Sequence, residues 1–277
     1  MQTNLNNPLR QFFRRPSVFL QLPSGGRYYS EGVVKKTETG ELPVFPMTAI
    51  DEITARTPDA LFNGEGMTQI IKSCIPDILK PWEINNIDLD AILIAIRVAS
   101  GENDMSMDSE CPSCKEVNAY TIDLSKILPQ LKCPNFDKPL SIDGMQIKFK
   151  PLTYKELNHF GTEQFNIQRM FANLDSIEDA EARAQKSKDA LKAVTDTTMK
   201  LISVSIEYID IGNQKVTEKE YILEFLNNCE KNIYVVLRDY TAKLREEAQI
   251  KPFHTACPNC KNEYDQPYTL NLTDFFA

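Results

Sequence analysis

Apolar residues near the N-terminus come in short runs separated by turn residues, then give way to runs with helical spacing. Val18–Leu22 has the length and composition of a strand, turned by Pro23-Ser24-Gly25-Gly26 and continued by Arg27-Tyr28-Tyr29. Leu42–Phe45 offers a second short strand before Pro46. Thr48 stands as a cap with Asp51 in the first turn behind it. Thr57-Pro58-Asp59 places a cap ahead of a proline at the first helical position. Met67, Ile70, Ile71 and Cys74 keep helical spacing until Pro76 ends the run. The strongest helix of this half is Asp88–Ser100. It opens at Asp88, is almost wholly apolar from Ala91 to Ile96, and reaches Gly101, a residue suited to the left-handed position past a helix end. A helix apolar on nearly every side must be buried.

The second half begins with a hairpin. Leu140–Ile142 and Gln146–Phe149 flank Asp143-Gly144, a turn dipeptide that matches the twist of paired strands. Thr153 and Glu156 form a capping box for a helix from Tyr154 to about Asn173. A longer helix spans Glu178 to about Ser205. Its first part is charged and exposed, and Leu201–Ile206 either enters the core or becomes strand. Gly212-Asn213 turns the chain, Thr217 and Glu220 suggest another capping box before Tyr221–Asn228, and 232–248 reads as a final amphipathic helix.

These elements predict an α+β, mostly helical fold in four stretches. Residues 1–46 form an N-terminal arm with short strands. Residues 47–138 are helical and end in a first cysteine turn. Residues 139–249 add a hairpin and a helical insertion, and 250–277 carry a second cysteine turn that packs back on the first.

The two turns are the chain's internal echo. Cys111-Pro112-Ser113-Cys114-Lys115 is followed by Tyr120-Thr121-Ile122-Asp123-Leu124, and Cys257-Pro258-Asn259-Cys260-Lys261 by Tyr268-Thr269-Leu270-Asn271-Leu272. The gap from first cysteine to tyrosine is nine residues in one copy and eleven in the other. Zn²⁺ takes four tetrahedral ligands, and a C-x-x-C turn supplies two thiolates from one loop. Proline after the first cysteine fits, because its missing N–H is not needed while later amides can point at sulfur. Lys115 and Lys261 would offset part of the negative charge of four thiolates on one cation.

Cys111, Cys114, Cys257 and Cys260 are therefore the expected ligands of a structural zinc. They make a zinc-ribbon-like clasp that closes a loop of about 150 residues, with the helical middle as a long insertion. His254 is an alternative ligand, set aside as a neighbouring or surface residue because four cysteines suffice. A redox pair lacks the expected βαβ context, and seven cysteines without a secretion signal argue against a disulfide framework. Cys74, Cys133 and Cys229 read as small buried apolar residues.

Composition narrows the rest. The chain of 277 residues is 42% hydrophobic and 25% charged, ordinary for a globular protein. No apolar run is long enough to span a bilayer, and the N-terminal stretch lacks a continuous apolar segment, so neither membrane nor secretory character is expected. A net charge of −8 argues against general nucleic-acid binding, and neither knuckle is flanked by a basic cluster. A zinc-ribbon nucleic-acid-binding adaptor stays as the alternative reading. No phosphate-binding glycine motif, H-E-x-x-H or G-x-S-x-G is present, and His159 and His254 lie far apart. Ser24-Gly25-Gly26 reads as a turn rather than a phosphate cradle, and Asp88 and Asp90 as a helix start. No catalytic residue is expected. Residues 1–30 hold Arg10, Arg14, Arg15 and Arg27 and no acid, so the arm around Phe12-Phe13 could dock on an acidic partner surface or simply be solvated.

Several segments resemble the T-even-type phage baseplate hub and hub-assembly family. They are Pro8–Pro16 with Leu22–Gly26, Pro46–Glu52 with Thr57–Leu61, Asp88–Arg97, and Cys257–Phe276 with its closing Thr273-Asp274-Phe275-Phe276. The likeness spans residues 8–125 and 250–277 and leaves the middle unmatched. It implies a non-enzymatic tail protein that contacts other baseplate hub or tape-measure proteins. Homo-oligomers are compatible with it. The implied location is the host cytoplasm during assembly and, for a permanent subunit rather than an assembly factor, the virion tail baseplate.

Overall fold

The computed structural model describes residues 7–57 and 64–267. Two hydrophobic cores organise them. The first is built on β1 (Val18–Gln21), β2 (Glu41–Val44), α1 (Ala49–Ala55), α2 (Glu65–Cys74), α3 (Asn86–Ala99) and the short α4 (Leu124–Ile127). β1 and β2 pair antiparallel, and Leu20, Leu42 and Val44 are buried there. In α3 every residue from Ala91 to Ile96 is fully buried, as its unbroken apolar run requires. α2 stops at Cys74 because Ile75, at φ −131°, already takes the extended backbone that a following proline favours.

The second core surrounds a four-stranded antiparallel sheet in the order β5-β6-β7-β8: β5 (Leu140–Ile142), β6 (Met145–Phe149), β7 (Ile206–Asp210) and β8 (Lys215–Val216). Asp143 and Gly144 both have positive φ at the β5–β6 turn, as an Asp-Gly hairpin demands. The long helices α5 (Tyr154–Ala172) and α6 (Ala180–Ser205) run against each other. α7 (Lys219–Asn228) and α8 (Lys231–Ala248) complete the core through Ile222, Leu226, Leu237 and Leu244. The capping box of Thr153 and Glu156 is present. The two options for 201–206 are both realised: Ile202 is buried on α6, and Ile206 opens β7 with no intervening loop. The two cores meet where α3 and α5 begin. The Asn86 amide donates to the Leu152 carbonyl at 2.7 Å, and the Tyr154 amide to that of Ile84 at 2.6 Å.

Three expectations need correction. Arg27-Tyr28-Tyr29 does not continue β1: Tyr28 has φ 66°, which breaks any ladder, and its hydroxyl reaches Asp137 instead. The helix placed at Asp88 starts two residues earlier, because Asn85 is the cap and its Oδ1 accepts the Asp88 amide at 3.0 Å. Thr217 and Glu220 form no capping box. Glu218 occupies the cap position, and its own carboxylate takes the Thr217 amide at 3.1 Å. The start read at Thr57-Pro58-Asp59 falls largely outside the described residues, as do Tyr268–Leu272 and Phe275-Phe276.

Asp90, on α3, carries a cost of burial. Desolvation pushes its carboxyl up to about 6. Its folded pKa then lies above its unfolded one, so the penalty is absent below about pH 4 and fully present above about pH 6. Asp90→Asn is expected to raise stability at pH 7 by about 1–3 kcal/mol, with the gain vanishing near pH 4. Urea unfolding at the two pH values reads this, and an equal difference at both would remove the explanation.

Candidate metal centre

Two hairpins of similar build carry the cysteine turns. β3 (Asp104–Glu110) follows α3 and pairs in full register with β4 (Val117–Asp123). The first knuckle is the turn between them. β9 (Phe253–Ala256) follows α8 and pairs with β10 (Glu263–Gln266) around the second knuckle. The turns close by identical bonds. The Cys111 amide donates to the Glu116 carbonyl and the Cys257 amide to that of Asn262, each at 2.9 Å. The Lys115 and Lys261 amides return to the Cys111 and Cys257 carbonyls at 3.0 and 2.9 Å. Both lysines have φ 63°, so each supplies the left-handed residue that closes its knuckle. Their expected role as counter-charges is modified: the Lys115 ammonium lies 3.4 Å from Glu110.

The four cysteines meet. All four Sγ atoms lie within 4.8 Å of one another. Cys111 Sγ is 3.7 Å from Cys260 Sγ, and Cys114 Sγ is 3.7 Å from Cys257 Sγ. Exchanging the two knuckles turns one of these pairs into the other, so the cluster has an internal pseudo-two-fold axis. Zn–S bonds of about 2.3 Å in a tetrahedron put sulfurs about 3.8 Å apart, and the two pairs across the knuckles match that spacing. All four cysteines are free, with Cys111 and Cys257 buried and Cys114 and Cys260 exposed.

The knuckle amides aim at sulfur. The Cys114 amide, with that of Ser113, lowers the Cys111 thiol from its ordinary value. The Cys260 amide, with that of Asn259, holds Cys257 down to about 6. Pro112 and Pro258 occupy the positions where no N–H is required. At Cys114 the Glu116 amide pulls downward, but desolvation and the other three thiols outweigh it and raise the group to about 11. Four adjacent thiols cannot all ionise without a cation among them. Geometry, spacing and donor set thus fit a divalent, thiophilic ion.

A polar network that the sequence did not disclose joins the hairpins. Buried Ser109 lies 3.0 Å from the Tyr264 hydroxyl and donates to Gln266 Oε1 at 2.5 Å. The Tyr120 and Tyr264 hydroxyls are 3.2 Å apart, and Tyr120 packs edge-on against Phe253. Asn118 Nδ2 donates to Cys257 Sγ at 3.6 Å. Structurally equivalent positions differ by a constant 146 from Cys111 and Cys257 onward, so the position equivalent to Tyr120 is Gln266.

His254 is exposed on β9 and outside the sulfur cluster. Its Nδ1 is 2.9 Å from Asp265 and its Nε2 is 3.6 Å from Glu263, and the Asp265 contact raises its pKa. His159 lies on α5 with its Nε2 3.4 Å from Glu163. The Ser24-Gly25-Gly26 turn holds an internal carboxylate. Asp88 accepts the Ser24 amide at 2.7 Å, the Ser24 hydroxyl, and the Tyr29 hydroxyl at 2.7 Å. Among the described residues no helix is long and apolar enough to cross a membrane.

A family model described as T4 bacteriophage base plate protein matches residues 47–277. The match includes both knuckles and the helical middle, where the sequence alone offered no likeness, and excludes the N-terminal arm. Comparisons with curated proteins and with solved structures gave no match.

Proposed function

The chain belongs to the T4 bacteriophage base plate protein family, and from that premise we propose that it is a hub subunit or hub-assembly factor of a contractile phage tail. It acts by protein–protein contact, without catalysis, and a structural zinc held by Cys111, Cys114, Cys257 and Cys260 staples it. Family membership makes it a structural component of the phage baseplate, and the hub is the finer assignment. The family match across both knuckles carries the reading. The clasp gives it a mechanical sense: β3–β4 grows from the first core, whereas β9–β10 arrives from α8 of the second. One cation therefore fixes the two cores to each other and presents a single rigid body to neighbouring subunits.

The surroundings of the knuckles disfavour the alternative of a nucleic-acid adaptor. Glu110, Glu116, Glu263 and Asp265 are exposed around the two lysines, and such a surface repels phosphates. Quantitative mass spectrometry of purified particles and of assembly intermediates tests the proposal. A permanent subunit appears in particles at fixed copy number. An assembly factor appears only in intermediates, bound to hub or tape-measure proteins. Absence from both, or salt-dependent retention on DNA, would overturn it.

A further inference from the structure

We propose that the N-terminal arm docks on a second copy of this chain, its aromatic and basic side chains seating on the acidic outer face of the partner's β3–β4 hairpin. This inference is drawn from surface chemistry and does not depend on the hub assignment.

The arm is held at its base and exposed at its tip. Arg14 anchors it: Nη1 donates to the Pro46 carbonyl at 2.5 Å and lies 3.4 Å from Asp51, and Nη2 donates to the Ser73 carbonyl at 2.9 Å. Ahead of this anchor, Pro8–Phe12 forms a single 3-10 turn that buries none of its residues. Leu9, Phe12 and Phe13 are 60%, 77% and 57% exposed. At the anchor, α1 turns Asp51 inward to Arg14 and leaves Ile50 and Ile53, three residues apart, 75% and 69% exposed. Five large exposed apolar side chains on the arm and on the helix that anchors it suit an interaction surface. Arg10 and Arg15 flank the aromatics and make no ion pair among the described residues.

The same chain offers the complementary face. Along β3, Asp104, Ser106, Asp108 and Glu110 are all exposed, and Ser106, Asp108 and Glu110 register against exposed Thr121, Ala119 and Val117 of β4. Three carboxylates and Ser106 thus run beside a strip of small side chains. Glu110 is engaged by Lys115, whereas Asp104 and Asp108 make no ion pair among the described residues. The charge division is global: residues 1–30 carry +4, so the remainder carries −12 of the total −8.

The two surfaces also lie near each other. Ser17 Oγ donates to the Ala99 carbonyl at 3.0 Å, and the Met47 amide donates to Ser100 Oγ at 2.9 Å. The arm's base and the entry to α1 thus sit at the end of α3, four residues before β3 begins. Adjacent complementary patches let two copies exchange arms reciprocally, which closes a two-fold dimer.

Sedimentation velocity on the full-length, zinc-loaded chain tests this. The wild type is expected to dimerise at micromolar concentration and to dissociate as salt rises. R10E/R15E and D104R/D108R are each expected to weaken dimerisation at least tenfold, and an equimolar mixture of the two is expected to restore it, since both exchanged contacts are then attractive. A wild-type monomer throughout, an R10E/R15E variant that dimerises as tightly, or a mixture that stays monomeric would overturn the proposal. So would arm-dependent binding of another baseplate protein to a chain that never self-associates.

Discussion

Stripping the metal with a strong chelator is expected to unlock the C-terminal hairpin and destabilise the whole chain, and Cys257→Ser is expected to do the same without a chelator. Structural zinc sites contribute on the order of 10 kcal/mol of apparent binding energy, as much as the total stability of a typical domain, about 5–15 kcal/mol. The loss is concentrated here for a geometric reason. β9 and β10 have only four residues each, and among the described residues their side chains alternate between exposed and half-buried. The hydrogen bonds of Ser109, Tyr120 and Tyr264 are too few to hold them against the entropy of the freed segment. Hydrogen exchange is expected to show β9–β10 losing protection first, followed by a large drop in unfolding temperature. Unchanged protection and unchanged unfolding would refute a metal-dependent clasp.

Asp88→Ala is expected to cost about 2–4 kcal/mol, because it leaves an amide and two hydroxyl donors without their acceptor. Asp88 is fully buried and collects the Ser24 amide, the Ser24 hydroxyl and the Tyr29 hydroxyl. It thereby latches the loop after β1 onto the first turn of α3. Tyr29→Phe removes one of the three and should cost about 1–2 kcal/mol. Burial raises the Asp88 pKa in spite of these donors. The folded value therefore lies above the unfolded one, and wild-type stability falls as pH rises from about 4 through the folded pKa. That slope should be missing from Asp88→Ala. Denaturant unfolding of the variants reads both effects. A variant within about 0.5 kcal/mol of the wild type would show that the latch does not hold the loop.

The cysteine cluster was legible because the chemistry of a metal-binding turn demands a fixed spacing. Two C-P-x-C-K turns announce four thiolates and an amide-rich loop whatever the rest of the chain does. The helices were legible where periodicity and caps agreed, as at Thr153 and along Ala91–Ile96. β3 was not, since Asp104–Glu110 has no β-branched or aromatic residue; only Met105 and Met107 give it an apolar face, which packs on the first core, and pairing with β4 completes the strand. The Tyr120 echo misled by two residues. Tyrosine 264 comes early in the second copy and fills the space beside Tyr120, so the interface between hairpins was not readable from the repeat. Asp88 looked like a helix-start acid because dipole and cap arguments suffice for an exposed residue. Its tie to Ser24, 64 positions away, is a tertiary contact that local pattern does not encode.

The proposed zinc is one cation shared between the two hairpins. X-ray absorption at the zinc edge, together with a metal-to-protein ratio, tests it on the purified chain. The expected result is one zinc per chain with four sulfur neighbours at about 2.3 Å. A chain that folds without metal, or a metal with fewer than four sulfur ligands, would contradict it.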